Sequence, residues 1–387
     1  MKKLALALLA FSCLLLSGCS GGIYSNYRAT EHLLLVQTLG ADFAEDDGVR
    51  LSVSCRKLPS DNSGAIISRS GESFTRALSS LQDFSADRQL YYSHGEYVLM
   101  GEDYARSSTE NLFDFIARDN QLRLGIYLFV VKGGSAEELI CGVGEDSYDV
   151  SKTLSSILRD TQTRGGSHVF TVRETLRCLS DHGAALVCAL RSYTTEGSVY
   201  LLEPGITPVA EGYGILKEGK LVGCVPSEIS QAANLLMGNM GSAGVSLSDS
   251  KGGRLSLEYE KGSAEICPRW SADGNLEGID VKASLQANLA EPNTDTIHVA
   301  DKALLTQMEG ALSEDMEEKI SSLLSLSSQL DADFLGLKAH LRSSDAENAA
   351  ALDDSWLKNA IFTVECETKI SYTRELGDRI SAEGGEA

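Results

Sequence analysis

Gly214-Ile215-Leu216-Lys217-Glu218-Gly219-Lys220 carries the first seven positions of a phosphate-binding loop, in which backbone amides cradle phosphate beside a lysine. Position eight is Leu221, where the magnesium-holding hydroxyl belongs, and a strand-like run follows instead of a helix. Without a helix N-terminus the electrostatic reason for phosphate to bind is gone, so the run reads as a hairpin turn. His94-Gly95-Glu96 has the H-x-E of zinc deaminases, yet no P-C-x-x-C follows to complete the ligand set. Asp331-Ala332-Asp333 with Gly336 begins like a calcium loop, but its twelfth position is Arg342, which repels the ion. The sequence has no H-E-x-x-H, G-x-S-x-G or G-x-G-x-x-G. These patterns lead us to expect no catalytic residue, no metal site and no cofactor.

The chemistry that the sequence does specify lies at its start. Lys2 and Lys3 form a positive region, and Leu4 to Leu16 is an almost wholly apolar run. That run falls short of the roughly 20 residues of a bilayer span and suits a secretory signal. Leu16-Ser17-Gly18-Cys19 looks like the lipobox of bacterial lipoproteins, which makes residues 1–18 a cleaved signal peptide and Cys19 the lipidation site. The alternative is a signal peptide cut elsewhere, with Cys19 incidental. Each buried acyl methylene contributes about 0.8 kcal/mol, so two or three chains hold firmly where one does not. Residues 19–30 would be anchor and tether, with Ser20, Gly21 and Gly22 its flexible start. Seven cysteines follow: Cys55, Cys141, Cys178, Cys188, Cys224, Cys267 and Cys366. Their scatter and odd number make no disulfide framework, although an exported chain could oxidise some of them. Most sit among apolar neighbours and are expected to be small buried hydrophobes.

The chain has 387 residues with 34 Lys+Arg against 55 Asp+Glu, a formal charge of −21. Phosphate binding needs clustered cations, so nucleic acid is not an expected partner, and docking on anionic headgroups through a basic patch is disfavoured.

Periodicity then places the elements. Leu33–Leu39 reads as a strand ending in Gly40-Ala41-Asp42, and Leu51–Cys55 alternates as a half-buried strand, with Glu45–Asp47 in the loop between them. Phe74, Leu78 and Leu81 predict a helix from Ser73 to Ser85. Tyr97–Met100 and Leu124–Val131 read as strands, and Leu112–Ile116 and Leu154–Leu158 as helices. Val172, Leu176 and Leu179 put Cys178 on a helix closed by His182-Gly183, with Cys188 on the following strand. Pro204-Gly205 and Pro208 mark a boundary. Beyond it lie a hairpin about Glu218-Gly219, a helix opened by Pro226-Ser227-Glu228, and three strand runs, Arg254–Tyr259, Ser263–Cys267 and Ile279–Leu289. After Pro292-Asn293, residues Leu304, Met308, Leu312, Met316, Ile320, Leu323 and Leu330 form one apolar stripe. That stripe reads as a helix across its own sheet, ahead of a coiled coil or a membrane-surface helix, since its polar face is acidic. Ile361–Tyr372 reads as a last strand and Glu383–Ala387 as a frayed tail.

Several stretches, in order, resemble the Ger(x)C family of spore-germination lipoproteins, the C subunits of germinant receptors. They are the lipobox; Ala29-Thr30-Glu31; Leu35–Asp42; Gly71-Glu72-Ser73 through Leu78; and His94 with Val98–Glu102. Asp114–Asp119 with Arg123, Gly212–Leu221, Asp333–Gly336 and Trp356-Leu357-Lys358 continue the likeness to the end of the chain. Tyr27 and Phe362 stand where the family often has tryptophan.

The resemblance implies an α+β protein of three mixed α/β domains, with largely antiparallel sheets, following the cleaved signal. We expect these domains at 31–203, 204–293 (strand-rich) and 294–387 (long helix and final strand). It also implies a non-catalytic role in nutrient-triggered germination, on the outer face of the spore inner membrane, beside integral-membrane subunits. A reading from another class is a lipid-anchored solute-binding protein serving a permease, which normally has two similar doubly wound lobes.

Overall fold

The computed structural model describes residues 32–44, 48–56, 65–85, 88–143, 149–164, 166–195, 205–248, 254–292 and 302–371. The signal peptide, Cys19, the tether, the Glu45–Asp47 loop and the tail lie outside the described residues. The chain opens with β1 (Leu33–Phe43), β2 (Val49–Arg56), β3 (Ala65–Gly71) and α1 (Phe74–Phe84). Next come β4 (Gln89–Tyr91), a single 3-10 turn at Tyr92–His94, β5 (Tyr97–Gly101), α2 (Glu102–Ser107), α3 (Glu110–Arg118) and β6 (Tyr127–Lys132). Three helices, α4 (Ala136–Gly142), α5 (Asp149–Arg164) and α6 (Val172–His182), lead to β7 (Ala184–Thr195). Then follow β8 (Gly205–Lys217), β9 (Lys220–Val225), α7 (Ser227–Leu236), β10 (Ala243–Ser248), β11 (Arg254–Trp270) and β12 (Leu276–Pro292). The chain closes with α8 (Lys302–Leu330), α9 (Leu337–Ser344), α10 (Ala346–Ala350), α11 (Trp356–Asn359) and β13 (Phe362–Ser371).

Two sheets result. The larger has the order β3-β2-β1-β5-β6-β7-β8-β9, with β4 beside the start of β1, and the smaller has the order β10-β11-β12-β13. The architecture is α+β, as expected, but the centre of the larger sheet is not antiparallel: β1, β5, β6 and β7 run parallel. Helices connect these strands, and only crossovers of that length return a chain to start a parallel neighbour. Strand β8 then pairs antiparallel with β7 from Ala184↔Lys217 to Thr195↔Gly205, so the sheet continues across the boundary expected at 203/204. Across 293/294 the smaller sheet also continues, because β13 pairs parallel with β12.

Alternate residues of β5 and β6 enter different apolar clusters. Val98, Met100, Leu128 and Val130 face α1, α2 and α3, whereas Leu99, Phe129 and Val131 face α4 and α5. Strand β2 shares this two-sided cover. Leu51 to Cys55 are all buried, not half-buried as the alternation predicts. Val53 packs toward Phe74 and Leu81 of α1, while Ser52 lies under α4 and bonds Ser68 Oγ at 2.9 Å. Polar residues can alternate along a buried strand when hydroxyls pair, so alternation here did not report exposure.

Elsewhere, local signals set local structure. Ser73 caps α1 by accepting from Arg76 N, and Gly183, at φ 77°, ends α6. Glu218 and Gly219, at φ 51° and 70°, make the two-residue turn joining β8 to β9, the geometry that matches strand twist. The expected strand at Leu124–Val131 begins only at Tyr127, because Leu124-Gly125 forms a turn. The runs Arg254–Tyr259 and Ser263–Cys267 are one strand, β11, with a register shift between Tyr259 and Lys261. Gly262 follows that bulge where a Cβ would meet Met240 Sδ at 2.5 Å and Leu235 Cδ1 at 2.6 Å, so this glycine marks close packing and no turn. Strand β10 has no counterpart among the expected elements.

Helix α8 follows the expected stripe: Met308, Leu312, Met316, Ile320 and Leu323 are buried against β13 and α7. They belong to one cluster that also takes in Tyr213, Ile215, Leu257, Ile279 and Leu285, and so reaches both sheets. Ile320→Ala should therefore lower unfolding free energy by about 2–5 kcal/mol, as truncation of a fully buried side chain does. Urea titration of purified protein checks this, and a loss well under 1 kcal/mol would show that the stripe does not hold the cluster together.

Candidate functional site

Two stretches that carry the family likeness, Leu35–Asp42 and Val98–Glu102, meet the loop that follows β6 at the carboxyl ends of β1, β5 and β6. Strand β1 ends in Gly40-Ala41-Asp42-Phe43, β5 in Gly101 followed by Glu102, and β6 runs into a Gly133-Gly134-Ser135 loop. From these ends α2 turns onto one face of the sheet and α4 onto the other. A crevice opens where adjacent strands send their connections to opposite faces, which is where open α/β sheets place ligands. Its volume is about 500 Å³, and Asp42, Glu102, Asp103, Gly133, Ser135 and Glu138 are among its walls.

Hydrogen bonding decides what those carboxylates can do. Asp42 is 4% exposed and accepts from Ala136 N at 2.7 Å and Glu137 N at 2.8 Å. Ser135 Oγ accepts from Glu138 N at 3.0 Å, so the first three amides of α4 have partners. Arg50 reaches Glu137 Oε2 at 2.8 Å and binds Ser70 Oγ, tying β2 and β3 to the same corner. Glu102 accepts from Gly133 N at 2.6 Å and from Arg106 at 2.6 Å. Burial alone would raise Glu102, but the Gly133 amide and Arg106 hold it below the usual carboxylate range. For Asp42 burial wins: desolvation carries it to about 6 against the pull of the two amides and Arg50, with the Glu137 charge adding to the rise. Gly101 has no room for a side chain, since a Cβ would stand 2.1 Å from Asp42 Oδ1.

A second polar focus ties β8 of the larger sheet to the end of α8 and to α11. Asp331, at φ 50°, ends α8 and is held by Lys217 Nζ, 2.6 Å from its carbonyl oxygen and 3.3 Å from Oδ2, with Lys358 Nζ at 3.5 Å. Asp333 caps α9 by accepting from Leu337 N at 2.7 Å and Lys338 N at 2.8 Å. The run that begins like a calcium loop is thus a helix connection, with both aspartates engaged by amides and ammonium groups.

The other sequence motifs resolve similarly. Gly214–Lys220 is the β8–β9 hairpin, and Thr109 donates through its amide and hydroxyl to Gly219 O. His94-Gly95-Glu96 links β4 to β5, with Glu96 N bonded to Gln37 O and Glu96 O receiving Tyr127 N. Among the described residues, no three His, Cys, Asp or Glu side chains group as metal ligands. Among the described residues no disulfide links the seven cysteines, and they are less buried than expected: Cys55 and Cys188 are fully inside, whereas Cys141 and Cys267 are exposed. Burial pushes the Cys55 and Cys188 thiols up to about 12, away from the reactive thiolate. Sequence reasoning did not pick out Ser135. A glycine pair followed by Ser-Ala-Glu-Glu after the strongest strand is the signal that marks such a cap.

A family model described as the spore germination protein N-terminal domain matches residues 26–192, and one described as spore germination B3/GerAC-like, C-terminal, matches 211–374. No curated protein matches the chain significantly. A crystal structure of the GerBC protein superposes with a TM-score of 0.57 at 18% identity, covering 86% of this chain and 96% of that one, and so shares the fold. The class is that of the two-part spore germination proteins. Within it, the chain belongs to the Ger(x)C family.

Two expectations follow for the crevice. Gly101→Ala should displace the Asp42 carboxylate and cost about 1–3 kcal/mol of stability, read by thermal or urea unfolding. Because the Asp42 value lies above its ordinary 3.8 in the folded state, its contribution to stability is fully present below about 4 and is lost as pH rises through about 6. Wild type should accordingly lose up to about 3 kcal/mol relative to Asp42→Asn between pH 4 and 7, whereas a pH-independent difference contradicts the assignment.

Proposed function

We propose that this chain is a non-catalytic, lipid-anchored subunit of a nutrient germinant receptor, held through Cys19 on the outer face of the spore inner membrane and assembled with integral-membrane subunits. The observation that carries the reading is the pair of spore-germination family matches, which together reach from residue 26 to residue 374. Support for the anchor comes from the Leu16–Cys19 lipobox, and among the described residues no helix is long and apolar enough to cross a membrane. Support for a non-catalytic role comes from the crevice, whose Asp42 and Glu102 carboxylates are engaged by backbone amides and an arginine. The two sheets differ in size and strand order, which favours the receptor subunit over a two-lobed solute-binding protein. An acyl anchor confines the body to a thin layer beside the membrane, where effective concentration lets weak contacts to a partner become well occupied.

Deleting the coding sequence in the host should abolish or strongly slow germination with at least one nutrient while leaving non-nutrient germination intact. A normal response to every nutrient tested sinks the receptor role. Cys19→Ala should leave a folded protein that fractionates away from the membrane, and intact mass spectrometry of wild type should show a diacylglycerol adduct at Cys19. Membrane retention of the variant with no adduct on wild type refutes the anchor.

A further inference from the structure

Among the described residues, strand β13 ends the smaller sheet and pairs with β12 along one edge. An open edge presents a row of backbone amides and carbonyls to any extended chain that meets it. Here three of the outward amides are already taken by a single face of α8. Cys366 N donates to Glu317 Oε1 at 2.7 Å, Thr368 N to Ser313 Oγ at 2.9 Å, and Ile370 N to Glu309 Oε1 at 3.0 Å. Ser313 spends its own proton on Glu309 O at 2.8 Å, which leaves its oxygen free to accept from the strand.

The spacing explains how a helix can do this. Acceptors recur every four residues, a rise of about 6.0 Å, and donors every two strand residues, about 6.6 Å, so helix and strand running antiparallel stay in step. Each helical step also turns about 40° past a full circle, which confines the ladder to a few rungs. The apolar stripe of α8 seats the helix on the sheet without these contacts, so the ladder serves the edge and not the core.

We propose that Glu309, Ser313 and Glu317 close the β13 edge against strand pairing with a second copy of this chain. The exposed face of β13 is self-complementary: an antiparallel pair centred on Thr368 sets Glu367 against Lys369 of the second copy, twice over. Within one copy Lys369 already reaches Glu367 at 2.8 Å, so the charges are poised to exchange partners. The device rests on this geometry and does not depend on the lipid anchor or the receptor role.

The test compares the full chain in detergent micelles with the triple variant Glu309→Ala/Ser313→Ala/Glu317→Ala, by sedimentation velocity and amide hydrogen exchange. The triple variant should gain mass with concentration, and adding Lys369→Glu should reverse the gain by setting like charges opposite. Ser313→Ala alone should speed exchange at Thr368 about tenfold. A folded triple variant with unchanged mass overturns the proposal, as does a mass gain that Lys369→Glu leaves untouched. If the triple variant does not fold, wild type still decides: amides of Cys366, Thr368 and Ile370 that exchange as fast as open strand amides overturn the closure.

Discussion

The pairing of β7 with β8 joins the two parts of the molecule. Strand β7 ends the run of parallel strands, and β8 begins the chain that will build the second sheet. Their ladder is long, and its inner face is closed by Tyr213, whose fully buried ring packs near Phe170 while its hydroxyl accepts from His168 N and donates to Asn234. One apolar cluster then runs from Phe170 and Leu186 through Tyr213 to α8 and β12. A continuous sheet and a continuous core leave little freedom between the regions that match the N-terminal and C-terminal germination domains. The Lys217–Asp331–Lys358 contact adds a polar tie on the same side.

Acidic side chains give this chain a second organising rule. Folding leaves backbone amides without partners at helix starts and strand edges, and each must find an acceptor if it is buried. Asp42 supplies acceptors to α4, Glu174 to the start of α6, Asp333 to α9 and Asp345 to α10. Glu309 and Glu317 do the same for a strand. The acidic excess is therefore partly internal architecture, placed where helix dipoles and exposed N–H groups favour negative charge. In the crevice Asp42 and Glu102 hold loops in place, so the concave surface is shaped by carboxylates already bonded to backbone amides and an arginine.

Elements defined within one turn or one pair of strands were readable along the chain. The α8 stripe, the Ser73 cap, the Gly183 stop and the Glu218-Gly219 hairpin each depend on residues a few positions apart. Features that depend on distant cover were not. Leu51–Cys55 alternate like a surface strand, yet α1 and α4, which arrive from later in the chain, bury both faces. Glu260-Lys261-Gly262 looks like a turn between strands, yet the ladder with β12 carries β11 straight through it as a bulge. Cys141 sits among apolar neighbours and still faces solvent.

The sequence by itself determined the absence of familiar catalytic motifs, the family likeness and most helices and hairpins, because these follow from composition and near-neighbour spacing. Only the tertiary structure decided that Asp42, Gly101 and Ser135 share one corner, and that a helix's carboxylates line a strand's edge. Such arrangements answer to backbone groups left unpaired in three dimensions, and which groups those are is not defined until distant strands have chosen their neighbours.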